Sequence, residues 1–209
     1  MTETHLEDDL PPRARTEVRR RNLRTVGALS ALFLVPLAAA FVLYYGVGWS
    51  PGEHVNHGEL IEPARPLPAV SLPAAGTHRP VPNVFTQRWA LVYVGGGQCD
   101  HECRFALLLM RNAHLDLGHD ASRVERVFLL TGGGGGGAAL AREYPGMIVL
   151  DASASQAAKL LAAFPSKGRD AAVFVVDPLG NLMMRYDSRR DPMGLVEDLQ
   201  RLLRLSQIG

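Results

Sequence analysis

The chain has 209 residues, 47% of them apolar, enough to bury one hydrophobic core with tails attached. Twenty-two Lys and Arg against 21 Asp and Glu leave a formal charge of +1. That near-balance carries no nucleic-acid signature and excludes the strongly basic binding classes.

The N-terminal part reads as a membrane anchor. From Val26 to Trp49 no residue is charged, and 24 helical residues at about 1.5 Å each cover the roughly 30 Å hydrocarbon layer. Pro36 removes one backbone donor mid-span, a defect that membrane helices tolerate. Tyr44, Tyr45 and Trp49 suit the outer interface. A cleaved signal peptide is the competing reading, since Ala38 and Ala40 form a small-x-small pattern, but the apolar run continues beyond them. Six arginines (13, 15, 19, 20, 21 and 24) precede the span, and no Lys or Arg follows until Arg65. The positive-inside rule then places residues 1–25 in the cytoplasm and residues 50–209 in a bacterial periplasm, on a single-pass inner-membrane protein. The arginines also suit contact with anionic lipid.

Residues 51–88 hold seven of the 14 prolines, which predicts an extended arm or linker. Leu60, Ile61 and Leu67 within it predict that part of the arm packs on the domain that follows. From Trp89 the apolar period alternates between two and 3.6. Strands are predicted over 89–94, 123–130 and 147–152, with helices over 101–117, 138–144 and 153–164. Ser153 or Ser155 would cap the last of these helices, with Pro165 just past its end. The turn "DPLGN" joins "AAVFVV" and "LMMRYD" as an antiparallel hairpin, and Asp191 with Pro192 opens a terminal helix. The order β, α, β, α, β, α, β, β, α predicts a thioredoxin-like three-layer α/β sandwich over 89–209.

Cys99 and Cys103 are the only two cysteines, four residues apart where the first strand's loop enters the first helix of that domain. An oxidising compartment allows a lasting disulfide. Placement at a helix start favours the thiolate, which suits either thiol–disulfide exchange or a soft metal such as Cu(I). A structural disulfide closing so short a loop adds little stability, so three readings stand: redox pair, metal clamp, inert bridge. His101 lies between the cysteines and is the candidate third metal ligand, and His54 and His57 would reach the pair only if the arm folds back. His114 and His119 read as surface residues. The glycine run in "LLTGGGGGGAAL" formally satisfies G-x-G-x-x-G, with Asp151 about twenty residues on, yet a homopolymer satisfies every glycine pattern. It reads as a flexible loop, with no nucleotide cofactor assigned.

The anchor, the C-x-x-x-C at a helix entry and the later "AAVFVVDPLGNLMMRY" together resemble the SCO/SenC family of cytochrome c oxidase assembly proteins. "NHGELI" and "DPLGNLMMRY" are also similar to small proteobacterial membrane proteins found with oxidase assembly factors. The resemblance implies a thioredoxin-like domain that serves copper delivery or thiol reduction at an oxidase subunit, with Cys99 and Cys103 as copper ligands or redox pair. It implies partners among oxidase subunits or other assembly factors at the inner membrane. The chain departs from the family pattern in two places. The family's histidine falls at or near Arg169, in "FPSKGRDAA", and the prolines around the cysteines are replaced by Asp100 and Arg104. The cis-proline of thioredoxin-like oxidoreductases is also missing, its place taken by Asp170, Ala171 and Ala172.

Overall fold

The structure is a computed structural model and describes residues 12–46, 56–77, 79–132, 136–206 and 208. Trp49, His54 and the middle of the glycine run lie outside those residues. The chain divides into two units, Met1–His54 and Val55–Gly209. The first is helix α1, Pro12–Phe41, followed by a wider π-helical turn over Val42–Gly46. Arg20–Gly46 is long and apolar enough to cross a membrane. Pro36 sits inside α1 and the helix continues past it. Phe41, Tyr44 and Tyr45 cluster at its C-terminal end, with ring centroids 5.0 and 4.8 Å apart.

The second unit is built on a six-stranded sheet. Its strands are β1 (Glu59–Pro66), β4 (Trp89–Gly95), β5 (Val124–Leu130), β6 (Met147–Asp151), β7 (Ala172–Val176) and β8 (Asn181–Asp187). A separate two-stranded ribbon joins β2 (Leu72–Pro73) to β3 (Pro80–Val81). The spatial order in the large sheet is β1-β8-β7-β4-β5-β6. β4 pairs parallel with β5 and antiparallel with β7, and β5 pairs parallel with β6. Six consecutive residues of β4 are buried, as an apolar run at the centre of a covered sheet requires. Alternate side chains feed two cores. Trp89, Leu91 and Tyr93 face helices α2 (His101–Asp116), α3 (Gly136–Glu143) and α5 (Pro192–Leu205). Ala90, Val92 and Val94 face α4 (Ala158–Ala163) together with Leu72 and Phe85. This is the three-layer sandwich that the element order predicts.

The hairpin forms as "DPLGN" predicts. The Asp177 carboxylate accepts from the N–H groups of Leu179 and Asn181 at 2.9 and 2.8 Å, and Gly180 takes φ +85°. Asp191 caps α5 by accepting from Gly194 N at 3.0 Å. Two elements differ from the sequence reading. The helix predicted over 153–164 is a single 3₁₀ turn at Ser155–Ala157 leading into the short α4, and neither serine caps it. The Ser153 hydroxyl instead donates to Asp151 at 2.6 Å. This is the local serine-to-carboxylate alternative that competes with helix initiation.

The proline-rich stretch contributes more than an arm, because residues 59–66 form the edge strand β1 against β8. A strand with one neighbour tolerates prolines, and a register shift between Leu60 and Arg65 absorbs the irregular segment. Leu60 packs on one core, and Ile61 and Leu67 on the other. What fixes this segment is a buried carboxylate. Asp198 of α5 is 3% exposed, and its Oδ2 accepts from His57 N (2.8 Å), Gly58 N (3.0 Å) and the Tyr186 hydroxyl (2.6 Å). Burial first, then the hydrogen bond to Asp198, raises the Tyr186 pKa and keeps its proton in place. Gly58 is required here, because a Cβ would stand 2.4 Å from Tyr186 Cζ. Replacing Asp198 with Ala strands three donors. We expect a loss of about 3 kcal/mol, read as a lower urea midpoint for the full-length protein in detergent.

Candidate functional site

Both cysteines are positioned by the exit of β4. After Gly95 the chain turns through Gly96, Gly97 and Gln98 to Cys99, and α2 begins at His101. Asp100 is the N-cap of α2, and its Oδ1 accepts from Cys103 N at 3.0 Å. That cap places Cys103 in the first turn facing back toward Cys99. The two Cα atoms are 5.2 Å apart and the sulfurs are joined in a disulfide. Cys103 is 4% exposed, whereas Cys99 is half-buried against the same core. Cys99 is thus the more exposed residue of the pair.

The glycine run bears on this loop. Thr131 N donates to the Gly95 carbonyl at 2.9 Å. A Cβ on Gly136 would lie 2.2 Å from the Gly97 carbonyl oxygen, so backbone rests on backbone where α3 begins. Gly136 and Gly137 are helical, and Gly137 is buried. The reading of the run as a flexible loop is thus corrected at this end, where absence of a side chain permits close packing. Gly136→Ala must push the two loops apart at a cost of about 1–3 kcal/mol. We expect a lower thermal midpoint and faster reduction of the disulfide by dithiothreitol, followed by thiol alkylation.

Beside Cys103 lies a cavity of about 320 Å³, lined among others by Tyr93, Gln98, Asp100, Ser166, Arg169 and Asp170. The Tyr93 hydroxyl donates to the Asp170 carbonyl at 2.6 Å and ties β4 to the loop before β7. Burial, then the negative charges of Asp100, Asp170 and Glu102, push the Tyr93 pKa up from 10.0 to about 12. A raised folded pKa means the folded protein keeps a proton that the unfolded chain releases. This contribution is intact below pH 10.0 and is lost as pH rises through about 12. In urea unfolding between pH 8 and 11, Tyr93 should contribute up to about 1.4 kcal/mol per unit to the fall in stability above pH 10, and Tyr93→Phe should remove that part of the slope.

Arg169, at or near which the resemblance puts the family histidine, has its own partners. Its guanidinium donates to the carbonyls of Phe164 (2.6 Å), Pro165 (3.1 Å) and Leu161 (3.4 Å), which close the C-terminal end of α4. The arginine thus ties together the last turn of α4 and the residues that follow it. His101 does not join the cysteines. Its side chain is 90% exposed, with the nearest carboxylate, Glu102, at 3.8 Å. His57 is held by the Asp191 and Glu197 carboxylates at 2.9 and 3.1 Å. His119 is exposed beside Asp120. His114 is half-buried, and burial followed by the Arg126 charge lowers its pKa. Among the described residues no cluster of three or more His, Cys, Asp or Glu side chains is arranged to hold a metal ion. Sequence reasoning missed Tyr93, Ser166 and Asp170 as neighbours of the pair, because only the packing of the 165–171 loop against the end of β4 brings them together. Asp100 carried a readable sign, an aspartate just before a predicted helix.

With this geometry in hand, comparison with known proteins is decisive for family and fold. The family described as transmembrane-like, thioredoxin-like, C-terminal domain matches residues 89–206. The chain belongs to that family. Among solved structures, apo Sco1 from Thermus thermophilus is similar at TM-score 0.58 and 21% identity, over 72% of this chain and 99% of that one. Yeast Sco1 with copper bound is similar at TM-score 0.56 and 14% identity, over 70% and 96%. BsSco, a member of the Sco family of cytochrome c oxidase assembly proteins in which a disulfide switch was identified, is similar at 0.53 and 13%, over 74% and 100%. The thioredoxin-like fold is therefore that of the Sco1/SenC structures. No curated protein matches the sequence.

Proposed function

We propose that this chain is a membrane-anchored assembly factor for a respiratory terminal oxidase. In this reading its C-terminal domain faces the periplasm and acts through Cys99 and Cys103 by thiol–disulfide exchange at a copper site under construction. The observation that carries the reading is the asymmetric disulfide, with a half-exposed Cys99 and a buried Cys103 beside an open polar cavity. The likeness to Sco proteins, including one described by its disulfide switch, supports the choice of partner class.

The exchange balances as follows. In the reduced protein the Cys99 thiolate attacks an oxidised cysteine pair of the partner, forming a mixed disulfide and releasing one partner sulfur as thiolate. The Cys103 thiolate then attacks Cys99 Sγ, closing the intramolecular bond seen here and releasing the second partner sulfur. The partner gains two electrons, and a dithiol reductant outside the membrane must restore this chain's pair. Copper enters as cargo for the partner's freed thiols. The donor set here does not fit a resident copper centre of two sulfurs and a histidine, since Arg169 is tied to carbonyls and His101 points to solvent.

Full-length Cys103→Ser, expressed with its natural membranes, should accumulate a dithiothreitol-sensitive adduct that mass spectrometry identifies with an oxidase subunit, and Cys99→Ser should not. Absence of the adduct in Cys103→Ser would overturn the exchange reading. Tight one-to-one Cu(I) binding by the reduced full-length protein, lost in Cys99→Ser, would replace it with copper carriage.

A further inference from the structure

The helix start that should activate the pair is already occupied. A partner thiolate that attacks Sγ of the more exposed Cys99 sends the electron pair of the broken bond to Sγ of Cys103, a residue 4% exposed. A thiolate in the first turn of a helix is ordinarily stabilised by unpaired N–H groups and the positive end of the dipole. Here Cys103 N is given to Asp100 Oδ1 at 3.0 Å, and the carboxylate brings a negative charge to the same end of α2. Asp100 and Cys103 line the same cavity.

The other charges nearby do not reverse this. Glu102 adds a second carboxylate to the first turn. Asp170 faces the cavity from the loop before β7. Arg169 donates to three carbonyls. Arg189 is bound to Asp187 at 2.9 and 3.1 Å and stands 4.0 Å from Glu102. Arg104 is exposed on the turn beyond.

We infer that Asp100 is a positioning residue that holds the Cys99–Cys103 couple toward the disulfide, because its cap on Cys103 N fixes a carboxylate charge at the helix N-terminus where the Cys103 thiolate would form. Once reduced, a couple so held is a strong electron donor to a partner's disulfide. The inference rests on the pair being open to exchange, as the proposed function also requires.

The test is redox equilibration of the full-length protein in detergent with mixtures of reduced and oxidised dithiothreitol, the thiols being counted by alkylation. Reduction converts the protein disulfide to two thiols while dithiothreitol is oxidised to its cyclic disulfide, so two electrons and two protons pass between them. Asp100→Asn keeps an oxygen to cap Cys103 N and removes the charge. Its equilibrium constant should move toward the dithiol by about tenfold, equivalent to about 30 mV, with the oxidised protein's thermal midpoint unchanged. Asp100→Ser, which also keeps a capping oxygen, gives the same readout should the Asn variant fail to fold. A wild-type pair that reduces normally while both variants match it within twofold overturns this inference alone. A wild-type pair that yields no thiols at any dithiothreitol ratio overturns the exchange reading and this inference with it.

Discussion

Burial of β4 on both faces is the constraint from which the site follows. Leu91, Val92 and Val94 are each at most 2% exposed, and side chains of this kind contribute roughly 1.5–3 kcal/mol apiece when removed from water. The disulfide, closing a loop of about five residues, contributes about 2 kcal/mol on the chain-entropy account. One buried strand residue therefore matters as much to the fold as the covalent bond. The site sits at the end of β4 because a strand covered on both faces and paired on both edges opens to solvent only at its ends. The cysteines are supported by the scaffold more than they support it, which leaves the bond available to break and re-form.

A second constraint comes from Asp198. One buried carboxylate oxygen gathers the backbone of His57 and Gly58 and the hydroxyl of Tyr186, so the residues entering the domain, strand β8 and helix α5 are fixed at one point. Removing one member of such a set costs more than its net bond strength, since the others remain buried and unpaired. The "NHGELI" motif acquires a physical reason from this. Asn56 Nδ2 bonds the Gly58 carbonyl, the next two residues supply N–H groups to Asp198, and glycine alone fits under the Tyr186 ring.

Much of the domain was readable from periodicity and punctuation. The apolar run at 89–94, the "DPLGN" turn and the Asp191–Pro192 helix start each depend on local chemistry that tertiary contacts did not override. The edge strand was not readable, because Pro63 and Pro66 argue against a strand unless one knows that it has a neighbour on one side only. The shortened helix near Ser153 turned on one hydrogen bond to Asp151. Of the site, the cysteines and their helix placement were readable. The tie between Tyr93 and Asp170 was not, since it joins residues 77 apart in sequence. Nor was the contact of Gly136 on Gly97, because a homopolymer hides which of its members is sterically required.

Arg169 shows how a fold can be kept while its chemistry changes. A histidine before β7 would offer one neutral nitrogen, whereas the guanidinium offers only donors, and here they bond the carbonyl of Leu161 in the last turn of α4 and those of Phe164 and Pro165 just beyond it. Replacing Arg169 with histidine would thus remove these bonds as well as add an imidazole. A shorter ring cannot meet carbonyls at residues 161, 164 and 165 together. A histidine at this position would come at the expense of the 165–171 loop, since Arg169 holds the carbonyls of Phe164 and Pro165 where it begins. The loop carries the carbonyl that receives the Tyr93 hydroxyl, so the arginine also keeps the wall of the cavity in place beside Cys103.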